Sequence, residues 1–188
     1  MNSYFEIKAL PNPEIIQSTV VAYLMQSLHQ MLPAYAGRIG LDFPGYGQQR
    51  TLGGILRVFG NEVDVVDLRG RAESNPNIAS YGLVTSVSPV PASIAQYVSC
   101  TRVHARGASR LKRLKLRHQA KGTWTVELES QVITKLEHGL NLPQVNLRSG
   151  STDQRFKLFV RRSVTGSKGT GLFNAYGLSL GEAKLPKF

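Results

Sequence analysis

The chain has 188 residues, one cysteine (Cys100) and a formal net charge of +11, from 23 Lys/Arg against 12 Asp/Glu. That length suits one large domain or two small ones with a real core, and a lone cysteine excludes a disulfide framework and a cysteine-based zinc site. No apolar run is long enough to span a bilayer, and the first acidic residues, Glu6 and Glu14, fall where a secretory leader would be basic, so a soluble protein of a reducing cytoplasm is expected.

The charge is unevenly spread. Residues 1–95 carry 6 Lys/Arg and 7 Asp/Glu, whereas 96–188 carry 17 and 5. Between Glu73 and Glu127 there is no acidic residue, while Arg102, Arg106, Arg110, Lys112, Arg113, Lys115, Arg117 and Lys121 fall inside that window. Self-repulsion at this density favours a bound polyanion. Nucleic acid leads, ahead of an anionic membrane surface or a merely solubilising face.

In chain order, Phe5, Ile7 and Ala9 alternate with polar neighbours as in a half-buried strand. Pro11 and Pro13 precede a helix whose Ile16, Val20, Leu24 and Leu28 recur near the 3.6-residue period, and Pro33 stops it. A second strand follows at Ile39, Leu41 and Phe43, a third at Ile55 to Phe59, then a short helix capped by Asn61 and carrying Val63, Val66 and Leu68. "YGLVTSVSPV" supplies a fourth strand. The order βαββαβ over residues 1–93 predicts a ferredoxin-like domain, within an α+β protein. The third strand, "GILRVFG", lacks the paired aromatics of an RNA recognition motif, so base stacking on this sheet is not expected. "SPVPAS" reads as a linker or turn.

Residues 94–188 read as a basic α+β domain suited to binding a nucleic acid. Ser109 is placed to cap a helix through "RLKRLKLRHQAK", ending before Gly122. Arg110, Arg113, Arg117 and Lys121 fall on one stripe while Leu111, Leu114 and Leu116 scatter, which favours a helix lying in a nucleic-acid groove over a solvated surface helix. Leu128, Val132 and Leu136 predict a second helix before Gly139. Phe156, Leu158 and Val160 then alternate with Arg155, Lys157 and Arg161 in a strand with one apolar and one basic face. "GSKGTG" lacks the ending of a nucleotide-binding loop and reads as a flexible hairpin turn.

Carboxylates and histidines suitable for a metal site are sparse, so no metal and no cofactor is expected. If the polyanion is RNA, a metal-free route exists, because the 2′-hydroxyl is a nucleophile tethered beside its own phosphate. One histidine would suffice. His29 ends the first helix in "QSLHQML", where an imidazolium would equally serve the helix dipole. His104 lies in the basic window, and His118 and His138 sit at helix-end positions.

The opening strand with "LPNPE", the helix with "LHQ", the "RIGLDFP" strand, the basic helix, "LRSGSTDQRFKLFVRR", "YGLS" and Phe188 together resemble the type I-F CRISPR repeat-processing endoribonucleases, ferredoxin-like members of the RAMP superfamily. The resemblance implies a prokaryotic cytoplasmic enzyme that cuts precursor CRISPR RNA at the foot of the repeat hairpin by 2′-hydroxyl attack, without a metal. It would then stay on the hairpin with the other subunits of a type I-F surveillance complex.

By the same resemblance the catalytic histidine matches His29, the serine that holds the nucleophilic ribose matches Ser149, and the tyrosine that positions the histidine matches Tyr176. Arg102 and His104 would read the base pairs at the hairpin foot, the basic helix would follow the stem's major groove, Ser151 and Thr152 would hold the backbone, and Phe156 would stack on the stem end. The family's second base-reading residue is a glutamine, where His104 stands here. From residue type alone, Ser149 is a turn hydroxyl, Tyr176 a packed aromatic and Phe156 a core strand residue. The alternative function is a non-catalytic RNA-hairpin-binding subunit in which His29 only caps its helix.

Overall fold

Phe5 and Ile7 form the inward side of strand β1 (Ser3–Ala9) and are fully buried, as the alternation requires. The computed structural model describes residues 1–104, 108–150 and 152–188, with residues 108–111 and 135–140 described by backbone alone. Helix α1 (Gln17–Met31) lays Val20, Val21, Leu24, Met25 and Leu28 against that face. Ile16, expected in the same stripe, is 73% exposed. It is the extended residue before the first turn, with ψ 146°, so its side chain leaves the helical register. Pro33 lies within a 3-10 turn, Leu32–Tyr35, near whose start a missing N–H is tolerated.

Strands β2 (Gly40–Asp42) and β3 (Ile55–Gly60) follow, then α2 (Glu62–Glu73), whose Asn61 cap accepts from the Asp64 N–H at 2.8 Å. On α2 the buried stripe is Val65, Leu68 and Ala72, whereas Val63 and Val66, expected with Leu68, face solvent. The predicted fourth strand is divided. A short helix α3 (Pro76–Tyr81) precedes β4 (Gly82–Val84) and β5 (Ser88–Pro89), both of which pair with β1. Thr85 interrupts the ladder, its hydroxyl accepting from the Glu6 N–H at 2.9 Å. The first sheet runs β2-β3-β1-β4 with antiparallel neighbours.

The second sheet, order β7-β8-β6-β9, is also antiparallel. Its strands are β6 (Gln96–Val103), β7 (Gln144–Arg148), β8 (Arg155–Thr165) and β9 (Leu185–Lys187). The protein is therefore α+β. Helices α4 (Ala108–Ala120) and α5 (Val126–Leu140) lie between β6 and β7 in sequence. Ser109 falls inside α4, and α5 continues through Gly139. The exposed "GSKGTG" loop is seated at one point: a Cβ on Gly169 would stand 2.0 Å from the Glu182 carbonyl oxygen, whereas Gly166 has open space around it.

One buried cluster joins Phe5, Leu24, Leu28 and Leu41 to Val98, Leu147, Leu158 and Leu185 of the second sheet. The polar bond across it is buried too. Asp42, 1% exposed, accepts from Arg162 Nε at 2.8 Å and Nη2 at 3.0 Å, and the Cys100 thiol approaches Asp42 Oδ1 at 3.5 Å. Tyr46 adds a hydroxyl bond to the Val160 carbonyl at 2.9 Å. Among the described residues no helix is long and apolar enough to cross a membrane.

Asp42→Ala strands a buried guanidinium and is expected to lower unfolding stability by about 3–5 kcal/mol in urea titrations. Burial pushes the Cys100 thiol well above its usual pKa. A thiol reagent is therefore expected to react with the wild type only within its urea transition, and the variant to become reactive at correspondingly lower urea.

Candidate active site

His29 occupies the last turn of α1, one position past Leu28, so the helix that buries Leu28 completely leaves the imidazole half-buried at its rim. Two groups from the distant segment 174–177 hold it. Its Nδ1 lies 2.7 Å from the Ala175 carbonyl oxygen. A carbonyl can only accept, so Nδ1 carries the proton and Nε2 of the neutral ring is left with a free lone pair. The Tyr176 ring stacks on the imidazole, centroids 4.0 Å apart and planes 14° from parallel.

That segment is itself a built turn. Asn174 Oδ1 accepts from the N–H groups of Tyr176 at 2.8 Å and Leu178 at 3.1 Å, and the Gly177 N–H returns to the Asn174 carbonyl at 2.8 Å. Gly177 has φ +70°, and a Cβ there would lie 2.5 Å from Leu41 Cγ. Its carbonyl accepts from the Leu41 N–H at 2.8 Å, which anchors the turn to β2. The sequence "NAYG" encodes the turn; only the fold brings it to His29.

The aromatic contact continues away from His29. Phe156, half-buried on β8, meets Tyr176 edge-on at 6.3 Å, and the Arg102 guanidinium on β6 lies 5.5 Å from the Phe156 centroid and 5.4 Å from that of Tyr176. Arg102 makes no ion pair among the described residues. Among the described residues its charge meets the ring faces of Phe156 and Tyr176 and no acid.

Ser149 opens the turn between β7 and β8. Its N–H donates to the Gln154 carbonyl at 2.9 Å, its carbonyl accepts from Asp153 at 2.9 Å, and its hydroxyl accepts from the Thr152 N–H at 3.3 Å. The link from this turn to the His29 helix is Gln26, a residue that sequence reasoning passed over. Gln26 Oε1 accepts from the Arg148 N–H at 2.9 Å. Gln26 and His29, three apart on α1, share a face, so one helix face addresses both the Ser149 turn and the Tyr176 turn. A partner 122 residues away leaves no local signal at a mid-helix glutamine.

The remaining predicted residues are more dispersed. His104 and Thr152 are exposed. On α4, Lys112, Arg113 and Arg117 are exposed, while Lys115 joins Glu129 of α5 at 2.9 Å and lies 5.6 Å from the Trp124 ring. Lys115 thus fastens α4 to α5, and that bond holds the Glu129 carboxyl below its usual pKa. Arg106 and Ser151, and the side chain of Arg110, lie outside the described residues. Among the described residues no three His, Cys, Asp or Glu side chains converge as metal ligands.

The sequence pattern of the family described as CRISPR-associated protein (Cas_Csy4) matches residues 4–188. A protein of Escherichia coli (strain UTI89 / UPEC) named CRISPR-associated endonuclease Cas6/Csy4 is 32% identical over 192 residues, covering 100% of both chains. A protein of the same name from Pseudomonas aeruginosa (strain UCBPP-PA14) is 34% identical over 190 residues, covering 96% of this chain and 97% of its own. A crystal structure titled as a chlorite dismutase aligns with 86% of this chain and 79% of its own at 11% identity, with a TM-score of 0.27.

Gly177→Ala combines a left-handed backbone with a clash on Leu41 and is expected to cost about 2–4 kcal/mol. In ring-nitrogen NMR of the wild type, the neutral His29 is expected as the Nδ1–H tautomer. A predominantly Nε2–H ring in the folded wild type would contradict the clamp, and Gly177→Ala should mix the two tautomers.

Proposed function

Because the chain belongs to the CRISPR-associated Cas_Csy4 family, we propose that it is the endoribonuclease that processes CRISPR RNA, cutting the precursor at the foot of each repeat hairpin without a metal. In this reading residues 1–93 are a ferredoxin-like unit carrying His29, and residues 94–188 supply the basic RNA-binding surface. The observation that carries it is the clamp on His29: a carbonyl fixes Nδ1, a tyrosine ring fixes the plane, and Nε2 is left for proton exchange. A helix cap needs neither contact.

The 2′-hydroxyl oxygen of the nucleotide at the cut attacks its own phosphorus while the bond to the 5′-oxygen breaks. One product ends in a 2′,3′-cyclic phosphate and the other begins with a 5′-hydroxyl. His29 Nε2 serves the proton traffic, taking the 2′-hydroxyl proton or supplying one to the leaving oxygen. Ser149 holds the ribose, and Tyr176 keeps the imidazole in plane as a positioning residue. Arg102 and His104 address the base pairs at the foot, Phe156 stacks on the stem end, and Ser151 and Thr152 hold the backbone. Arg106, Arg110, Lys112, Arg113, Lys115 and Arg117 line the stem groove. An A-form major groove is ordinarily too narrow to read, but a short hairpin opens it at the loop end. After cleavage the protein stays on the hairpin, alongside the other subunits of a type I-F surveillance complex.

The test is cleavage of the source genome's repeat hairpin in excess EDTA, with binding followed in parallel. His29→Ala is expected to slow cleavage by about 10²- to 10⁴-fold and keep its affinity. Wild type that binds but does not cut would make the protein a hairpin-binding subunit, with His29 only a cap. Gln26→Ala frees the Ser149 turn from the His29 helix and is expected to lower kcat by about tenfold to hundredfold with hairpin affinity unchanged. A matched loss of affinity would instead mark Gln26 as an RNA contact.

A further inference from the structure

Helices α4 and α5 lie in the basic half, yet none of their described residues joins the buried core. Something other than the core must therefore set the direction of α4. That direction matters for a helix laid along an RNA stem, because an A-form major groove is narrow and admits a helix over a small range of angles. A stripe of cations repels itself and supplies no anchor.

At about 100° per residue, Lys115 stands about 160° round α4 from both Arg113 and Arg117. Exposure follows that division: Arg113 and Arg117 are exposed, whereas Leu114, Lys115 and His118 are half-buried. On the half-buried side one carboxylate gathers two donors. Glu129 Oε1 accepts from Lys115 Nζ at 2.9 Å, and Oε2 accepts from Trp124 Nε1 at 3.2 Å. The Lys115 ammonium also lies 5.6 Å from the Trp124 ring centroid, which closes a knot of three residues. The turn between the helices is tied to the same place: the Thr123 N–H donates to the His118 carbonyl at 2.9 Å, and the Thr123 hydroxyl lies 2.9 Å from His118 Nδ1. Thr125 then caps α5, its hydroxyl accepting from the Leu128 N–H at 3.2 Å.

We propose that Glu129 is a positioning residue for RNA binding: with Trp124 it holds Lys115, and so α4, at the angle that the stem groove accepts. That role rests on the ribonuclease reading, which lays α4 along the stem. Lys115 then serves the groove through Glu129 and Trp124, on the side of α4 turned away from Arg113 and Arg117. The expected sign is opposite to that of simple charge. Removing one exposed acid beside a basic helix raises its attraction for a polyanion by about twofold at moderate salt. Losing the angle weakens every contact along the helix and outweighs that gain.

The test measures affinity for the source genome's repeat hairpin, made uncleavable by a 2′-deoxy sugar at the cut. E129A is expected to bind about tenfold more weakly than the wild type despite its higher net charge, and W124F about threefold more weakly. K115M is expected to match E129A, and the double variant K115M/E129A to lose no more than either. E129A should melt like the wild type, because the knot lies outside the core, and at saturation should cut an ordinary hairpin at the wild-type single-turnover rate. Trp124 is the chain's only tryptophan, so its emission reads the knot directly: a red shift is expected in free E129A and none when the wild type binds RNA. Unchanged or tighter binding by E129A and W124F overturns the inference. Additive losses in K115M/E129A mark Lys115 as a direct RNA contact and also overturn it, as does a red shift of the wild type on binding. If the wild type does not bind the hairpin, the ribonuclease reading falls and this inference with it; a wild type that binds and cuts, beside an E129A variant of equal affinity, overturns the inference alone.

Discussion

Burying a carboxylate costs several kcal/mol unless its lone pairs are filled, and Asp42 is almost wholly buried between the two sheets. Arg162 resolves this with a bidentate fork, and its own pKa is raised by the same bond. A hydrophobic pair could match the net stability of such a bridge. What the fork adds is placement: two N–H bonds in one plane fix β8 against the end of β2 in a way that apolar contacts do not. The first sheet carries His29 through α1 and the second carries Arg102 and Phe156, so the alignment of the two sheets sets the alignment of the site.

The same economy recurs at smaller scale. His29 is oriented by a backbone carbonyl and a ring face rather than by a carboxylate. In the proposed RNA reaction that choice would have a physical advantage, because an acidic partner beside the imidazole would repel an approaching phosphate. Arg102 is likewise steadied by Phe156 and Tyr176 rather than by an acid. Two acids of the basic half serve packing: Glu129 fastens α4 to α5 and Asp153 closes the Ser149 turn onto Arg148. Positive charge is left for the ligand, and the aromatic and backbone contacts supply the order that ion pairs would otherwise give.

Local pattern made much of the fold legible. Strand alternation placed Phe5, Ile7, Leu41, Leu158 and Val160 in the core, and the helical period placed Val20, Leu24 and Leu28. The failures have local causes. Val63 and Val66 are apolar but lie off the Val65, Leu68, Ala72 stripe, so composition misled where phase decided. The fourth strand divided because a threonine side chain replaced a ladder bond. Strands β6, β7 and β9 went unread although β6 and β7 alternate in burial; β9 is only three residues long, and strand character depends on the partner as much as on a segment's own pattern.

For the site, the sequence by itself determined the inventory: a helix-end histidine, a serine-bearing turn, a tyrosine before a glycine, and a basic half short of acids. Those are properties of residue type and near neighbours, which composition and spacing record. Only the tertiary structure decided that Ala175 and Tyr176 clamp His29, that Gln26 reaches Arg148, and that Asp42 finds Arg162, contacts separated by 146, 122 and 120 residues. Local propensity carries no information about such pairs. They exist because burying one continuous core fixes both sheets at once, and the polar groups caught at their junction must then find partners there or leave the fold unsatisfied.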